Sequence, residues 1–200
     1  MKKILLVLTI AILSLTCFAQ NDSEKAKIAE IRKMYNNEME WIDIMLGDEA
    51  IPDDYITAKI RHNIAGMGQS DETVEYYFSD DFDEEIGYYV SSLNFVRKTV
   101  VYTIAERKKY EEFLYDNDGL PAFYYASFQT YRTQNGEYEE VHVEIRAYYD
   151  NGELIHTICK VGKDKSSLTE QPLDEDLEVH LQFAYDAFEK NKKALDGMVN

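Results

Sequence analysis

The stretch LPAFYYASFQTYRTQNGEYEEVHVEIRAYYDNGELIHTICKV, residues 120–161, decides the fold. Two dipeptides, Asn135-Gly136 and Asn151-Gly152, separate runs rich in Tyr, Phe, Val and Ile, and Asp116-Asn117-Asp118-Gly119 stands just upstream. Asn and Gly accept the positive φ of tight hairpin turns, while aromatic and β-branched side chains suit a pleated, half-buried surface. Residues 106–161 therefore specify an antiparallel meander.

Treating Asn135-Gly136 as a two-residue turn pairs Gln134 with Glu137. Stepping back from the turn sets Phe128 opposite Val143, Ala126 opposite Ile145 and Tyr124 opposite Ala147. The same treatment of Asn151-Gly152 sets Tyr149 opposite Leu154, Ala147 opposite His156 and Ile145 opposite Ile158. These residues share one apolar face, which a slip of one residue would disrupt. The other face carries Phe123 beside Tyr148, Tyr125 beside Arg146, Ser127 beside Glu144 and Gln129 beside His142, with Ile155, Thr157 and Cys159 on the next strand. Rings flanked by Arg, His and Glu can stack on sugars or peptide side chains and supply directional hydrogen bonds. Phe123, Tyr125, His142, Glu144, Arg146 and Tyr148 are thus the candidate binding residues. The plainer reading of the same pattern is a solvated sheet face that favours tyrosine.

Working outward, strands are expected over 55–63, 72–78, 88–103, 108–115, 120–132, 138–149 and 153–161. A turn is expected around Gly66-Met67-Gly68, a charged loop over Asp80–Glu85 and a polar link over 162–172. Residues 22–46 place Ile28, Ile31, Tyr35, Ile42 and Met45 at helical spacing, and Gly47 follows. A second helix begins at Asp174 or Asp176 and aligns Leu177, Leu181, Ala184, Phe188, Leu195 and Met198. The expected fold class is α+β: an antiparallel meander of about six or seven strands, with N- and C-terminal helices packed on one face.

Residues 1–19 read as a secretory signal peptide, and 20–200 as a single domain. Lys2 and Lys3 precede an apolar run from Ile4 to Leu15, and Cys17-Phe18-Ala19 puts small residues where a signal peptidase reads. That run is shorter than the roughly 20 residues a membrane span needs. The protein is expected to be exported, periplasmic or extracellular, and without an integral membrane segment. Lipid anchoring at Cys17 is disfavoured because Thr16 stands where Gly or Ala is wanted.

The chain has 21 basic and 38 acidic residues, a formal charge of −17. Loss of Lys2 and Lys3 with the signal makes it 19 against 38, or −19. Such a charge repels nucleic acid and anionic membranes. It serves solubility, or a basic partner or divalent cations. Without Cys17 only Cys159 remains, so no intrachain disulfide can form.

Site motifs are sparse. His62, His142, His156 and His180 lack zinc-site spacing, and Asp116–Gly119 departs from a calcium loop because Leu114 stands where an acid is required. The residues thus imply no metal and no cofactor. A Cys159, His142 and Glu144 nucleophile arrangement is conceivable across two strands, but a sheet face offers no helix N-terminus or oxyanion loop. No catalytic residue is assigned, and the residues favour a binder over an enzyme.

The run from Tyr110 to Tyr124 and the run from Glu144 to Ile155, together with the Phe18-Ala19-Gln20 signal ending, resemble uncharacterised small exported proteins of Gram-negative gut-type bacteria. That resemblance implies export and brings no activity. The expected role is a non-enzymatic ligand- or partner-binding module that takes a protein, peptide or glycan on its aromatic and charged sheet face. The alternatives are an acidic inhibitor or immunity protein for a basic periplasmic enzyme or toxin, and an envelope-directed hydrolase.

Overall fold

The computed structural model describes residues 2–47, 55–64, 68–85, 87–102, 107–134 and 137–199, with side chains from Asp22 onward except those of Ile64, Asp81, Asp83, Gln134, Glu137 and Asp176. Helix α1 spans Lys2–Gly47 and helix α2 Glu175–Val199. Between them run β1 (Tyr55–Ile64), β2 (Gly68–Asp83), β3 (Tyr88–Tyr102), β4 (Arg107–Tyr115), β5 (Pro121–Gln134), β6 (Glu137–Asp150), β7 (Glu153–Gly162) and β8 (Thr169–Gln171). They form one antiparallel sheet in sequential order. The eighth strand is only three residues long and lies inside the expected polar link. The acidic run extends β2 as far as Asp83 instead of forming a loop. Among the described residues no helix is long and apolar enough to cross a membrane.

The turn chemistry acts as the sequence dictates. Asn151 at φ 50° and Gly152 at φ 77° form the β6–β7 turn, and Asp150 pairs with Glu153. Asp116 holds the β4–β5 turn, its carboxylate accepting from the amides of Asp118 at 3.0 Å and Leu120 at 2.8 Å. Asn135-Gly136 and Gly66-Met67 lie outside the described residues, but Gln134 pairs with Glu137 as expected. The β5–β6 register agrees with the expected one from Phe123↔Tyr148 to Gln134↔Glu137.

The β6–β7 register departs from expectation after its first pairs. Tyr149 meets Leu154, but Tyr148 then meets His156, so Ile155 is an extra residue on β7. The bulge exchanges the faces beyond it: Ile145 pairs with Cys159 and Glu144 with Lys160. Cys159 therefore belongs to the apolar side, with Val161. The Cys159, His142 and Glu144 arrangement is excluded.

The helices also depart from the expected arrangement. Leu177, Ala184, Phe188 and Leu195 of α2 share a core with Phe113, Tyr124, Ala126, Val143, Ile145 and Ala147. Ile28, Ile31, Ile42 and Met45 of α1 share another with Tyr77, Phe95, Leu114, Phe123 and Tyr148. Because neighbours along a strand point to opposite faces, the helices lie on opposite sides of the sheet. The apolar side expected for both belongs to α2 alone. Phe188 makes edge-on ring contacts with Phe113 and Tyr115, at centroid separations of 5.2 and 5.0 Å. Asp174 caps α2 by accepting from the Leu177 amide at 3.1 Å.

Candidate functional site

Three bulges fall on one line across the sheet. The pairings Tyr77↔Phe95, Phe95↔Leu114, Leu114↔Phe123, Phe123↔Tyr148 and Tyr148↔His156 make a continuous row. Asn94, Ala122 and Ile155 are the extra residues beside it. Bulges bend a strand and sharpen its twist, so this row is a crease. α1 lies across the strands along it. His156 on β7 meets Glu24 at 3.2 Å, Tyr148 on β6 lies under Arg32, and Phe123 on β5 and Phe95 on β3 meet Tyr35.

On one side of the crease the same face continues past the apolar stripe of α1, with Tyr125 and Ile158 packed at its edge. Its next row is Glu75, Arg97, Glu112, Tyr125, Arg146 and Ile158, followed by Thr73, Thr99, Tyr110, Ser127, Glu144 and Lys160. Two cavities open here and share Tyr125. One of about 590 Å³ is bounded by Arg32, Tyr35 and Asn36 of α1 and by Glu112, Tyr125 and Arg146 of the sheet. The other, about 720 Å³, is bounded by Lys108, Tyr110, Ser127, Gln129 and His142 and by Asp164 and Lys165 of the β7–β8 loop. They meet at Tyr125, the first beside α1 and the second beside the β7–β8 loop, and are treated together as one groove.

The polar groups are fixed. Glu112 is 5% exposed and accepts from the Tyr35 hydroxyl at 2.7 Å and from the Tyr110 hydroxyl. Burial and the Glu112 charge hold both phenols far above their ordinary range, so they act as donors at neutral pH. Tyr125 is pushed up to about 12, mainly by burial. Arg146 lies 5.7 Å from its ring centroid and 3.6 Å from Glu144. The buried pair Ser127 Oγ and His142 Nε2 is 3.0 Å apart. Burial, with Lys165 nearby, lowers the His142 pKa, so the imidazole is neutral near pH 7.

Of the six residues read from the sequence, Tyr125 and Arg146 line the groove wall, and His142 forms part of the second cavity. Glu144 is the ion-pair partner of Arg146. Phe123 and Tyr148 lie at the edge of the first cavity but are 7% and 3% exposed beneath α1, so they act as floor and helix support. The face is therefore half covered, not open throughout. Sequence reasoning missed Arg32, Tyr35 and Asn36, because a helix period does not say which sheet face it meets. It missed Tyr110 and Glu112 because Ala122 interrupts the register between β4 and β5. Carrying the pairing through the Asp116–Gly119 turn with one bulge would have found both.

Ser127 and His142 have the separation of a nucleophile and base. The surrounding strand is occupied in pairing, Ser127 with Glu144 and Gln129 with His142, so its backbone amides serve the ladder and not an oxyanion. Cys159 lies on the far face, its thiol pKa raised by burial. Among the described residues no three His, Cys, Asp or Glu are grouped to hold a metal ion. Comparison with known proteins gives no matching family model, no matching curated protein and no matching solved structure.

Proposed function

We propose that this chain is an exported, non-enzymatic binding module whose ligand lies in the groove between α1 and the β4–β6 face. The observation that carries the reading is the junction at Tyr125, where two cavities meet beside Arg146 and above the fixed Glu112 carboxylate. A site whose polar groups are already held by hydrogen bonds needs little reordering to bind, which favours affinity. Cavities of this size are typical of small-ligand sites. The test is retention of soluble envelope glycans and peptides by the immobilised protein, beside a Tyr125→Ala/Arg146→Ala variant that remains folded. Ligands retained by the wild type and lost by the variant are expected; equal retention would place the site elsewhere.

A second reading, the acidic inhibitor, draws on the β2–β3 ribbon. β1 pairs with β2 only as far as Tyr77, and β4 pairs with β3 only from Phe95, so among the described residues 79–92 pair with each other alone. The ribbon displays Phe82, Tyr88 and Tyr89, at 54, 74 and 72% exposure, beside Glu84 and Glu85. An aromatic anchor ringed by acids fits a basic partner with an apolar cleft. Replacing Phe82, Tyr88 and Tyr89 by Ser should abolish co-purification of such a partner, and undiminished co-purification would dismiss this reading.

A further inference from the structure

The ligand class follows from which charges in the groove are already satisfied. Every carboxylate in or beside it has a partner. Glu112 accepts from Tyr35 and Tyr110, and Glu144 faces Arg146. Asp164 accepts from the Ser166 amide and hydroxyl at 2.9 and 2.6 Å and from the Ser167 amide at 3.0 Å, which holds its pKa below the ordinary carboxylate value. The cations differ. No carboxylate among the described residues lies within ion-pair distance of Arg32, Lys108 or Lys165. Arg32 uses its Nε on the Tyr148 hydroxyl at 3.3 Å, which leaves the rest of the guanidinium fork available.

These three stand in a chain of charge −17, where carboxylates outnumber cations. The cavity walls together contribute Arg32, Arg146, Lys108 and Lys165 against Glu112 and Asp164. With Glu144 beside Arg146 the balance is four cations to three carboxylates, in a chain that has 21 basic and 38 acidic residues. Such a balance admits a short anion while the whole molecule repels long polyanions.

Between the two cationic ends lie the partly buried Tyr125 ring and uncharged hydrogen-bonding groups on Asn36, Tyr110, Ser127 and Gln129. The strands below are saturated by their own ladder, so an extended peptide has no backbone edge to pair with here. Side chains alone must recognise the ligand, through hydroxyls, ring faces and anionic substituents. We infer that the groove binds a short acidic saccharide, with pyranose rings over Tyr125 and carboxylate or sulfate groups held by Arg32 and Arg146 at one end and Lys108 and Lys165 at the other. This rests on the groove being the binding site.

Calorimetry with three probes tests it: trigalacturonate, a chondroitin sulfate tetrasaccharide, and uncharged maltotriose. One or both acidic probes should bind, and maltotriose should not. Which acidic probe is the tighter decides between carboxylate and sulfate. Lys108→Gln/Lys165→Gln should weaken the acidic probe by about tenfold or more, and raised salt should weaken it further. Both lysines are exposed, and thermal melting checks that the variant is folded. Equal binding of maltotriose, lost in Tyr125→Ala, would overturn the anionic class and leave the groove standing. Acidic binding indifferent to both Lys108→Gln/Lys165→Gln and Tyr125→Ala would overturn the groove as well. No binding of any probe would overturn the acidic-saccharide assignment.

Discussion

The Tyr35 hydroxyl donates to Glu112 Oε2 at 2.7 Å, joining α1 to β4 across the face of the sheet. The carboxylate is buried and also accepts from Tyr110. A hydrogen bond to a charged group contributes more than a neutral one. Tyr35→Phe should therefore cost about 1–3 kcal/mol. Urea denaturation of Tyr35→Phe, Glu112→Gln and the double variant checks this. The double variant should lose less than the sum of the singles, and additive losses would show that the pair is not coupled.

Gly162 ends β7, paired with His142. A Cβ there would lie 2.6 Å from the Ser167 carbonyl carbon and oxygen, which are backbone atoms with little room to yield. Gly162→Ala should push the 163–168 loop outward, carrying Lys165 away from His142, at a cost of roughly 1–3 kcal/mol. Hydrogen exchange should rise in residues 163–168, with less change in β4 and β5. Unchanged exchange there would contradict the close packing.

Burial lowers the pKa of His142 and of His180, whose ring lies 4.5 Å from that of Phe128. The unfolded chain then takes up more protons than the folded one as pH falls below the ordinary histidine value of 6.5. Stability should be highest above that pH and decline towards pH 5. A thermal melting series from pH 8 to 5 should show a shallower decline for His142→Gln than for the wild type. An equal slope would place the titration elsewhere.

Cys159 is 2% exposed, and its thiol pKa is raised by burial. Thiolate is the reactive form. A maleimide reagent followed by peptide mapping should leave Cys159 unmodified in the native protein and label it fully in urea. Rapid native labelling would contradict its place in the α2 core.

The parts legible in the sequence were those governed by local chemistry. Asn151-Gly152 requires positive φ at both positions and fixes Asp150 against Glu153, and the helical spacing of Ile28, Ile31, Ile42 and Met45 marks a stripe that is indeed buried. The bulges were not legible, since Ala122 and Ile155 carry no turn chemistry, Asn94 stands alone inside a strand run, and only neighbouring strands force the extra residue. Missing Ile155 placed Cys159 beside Glu144 when it faces the other helix. Helix placement was hidden for a related reason. Tyr77, Phe95, Phe123 and Tyr148 are aromatic enough to be core, but an alternating strand with rings on both faces does not say which face lacks a helix. β8 was missed because three polar residues leave no periodicity to read.

The claim that the groove beside α1 is the binding site is tested most directly by following backbone amide signals during titration with trigalacturonate. The account predicts changes concentrated in residues 31–36, 108–112, 123–129 and 142–146, with the β2–β3 ribbon at 79–92 unaffected. Changes confined to that ribbon, or to the exposed side of α2, would contradict it.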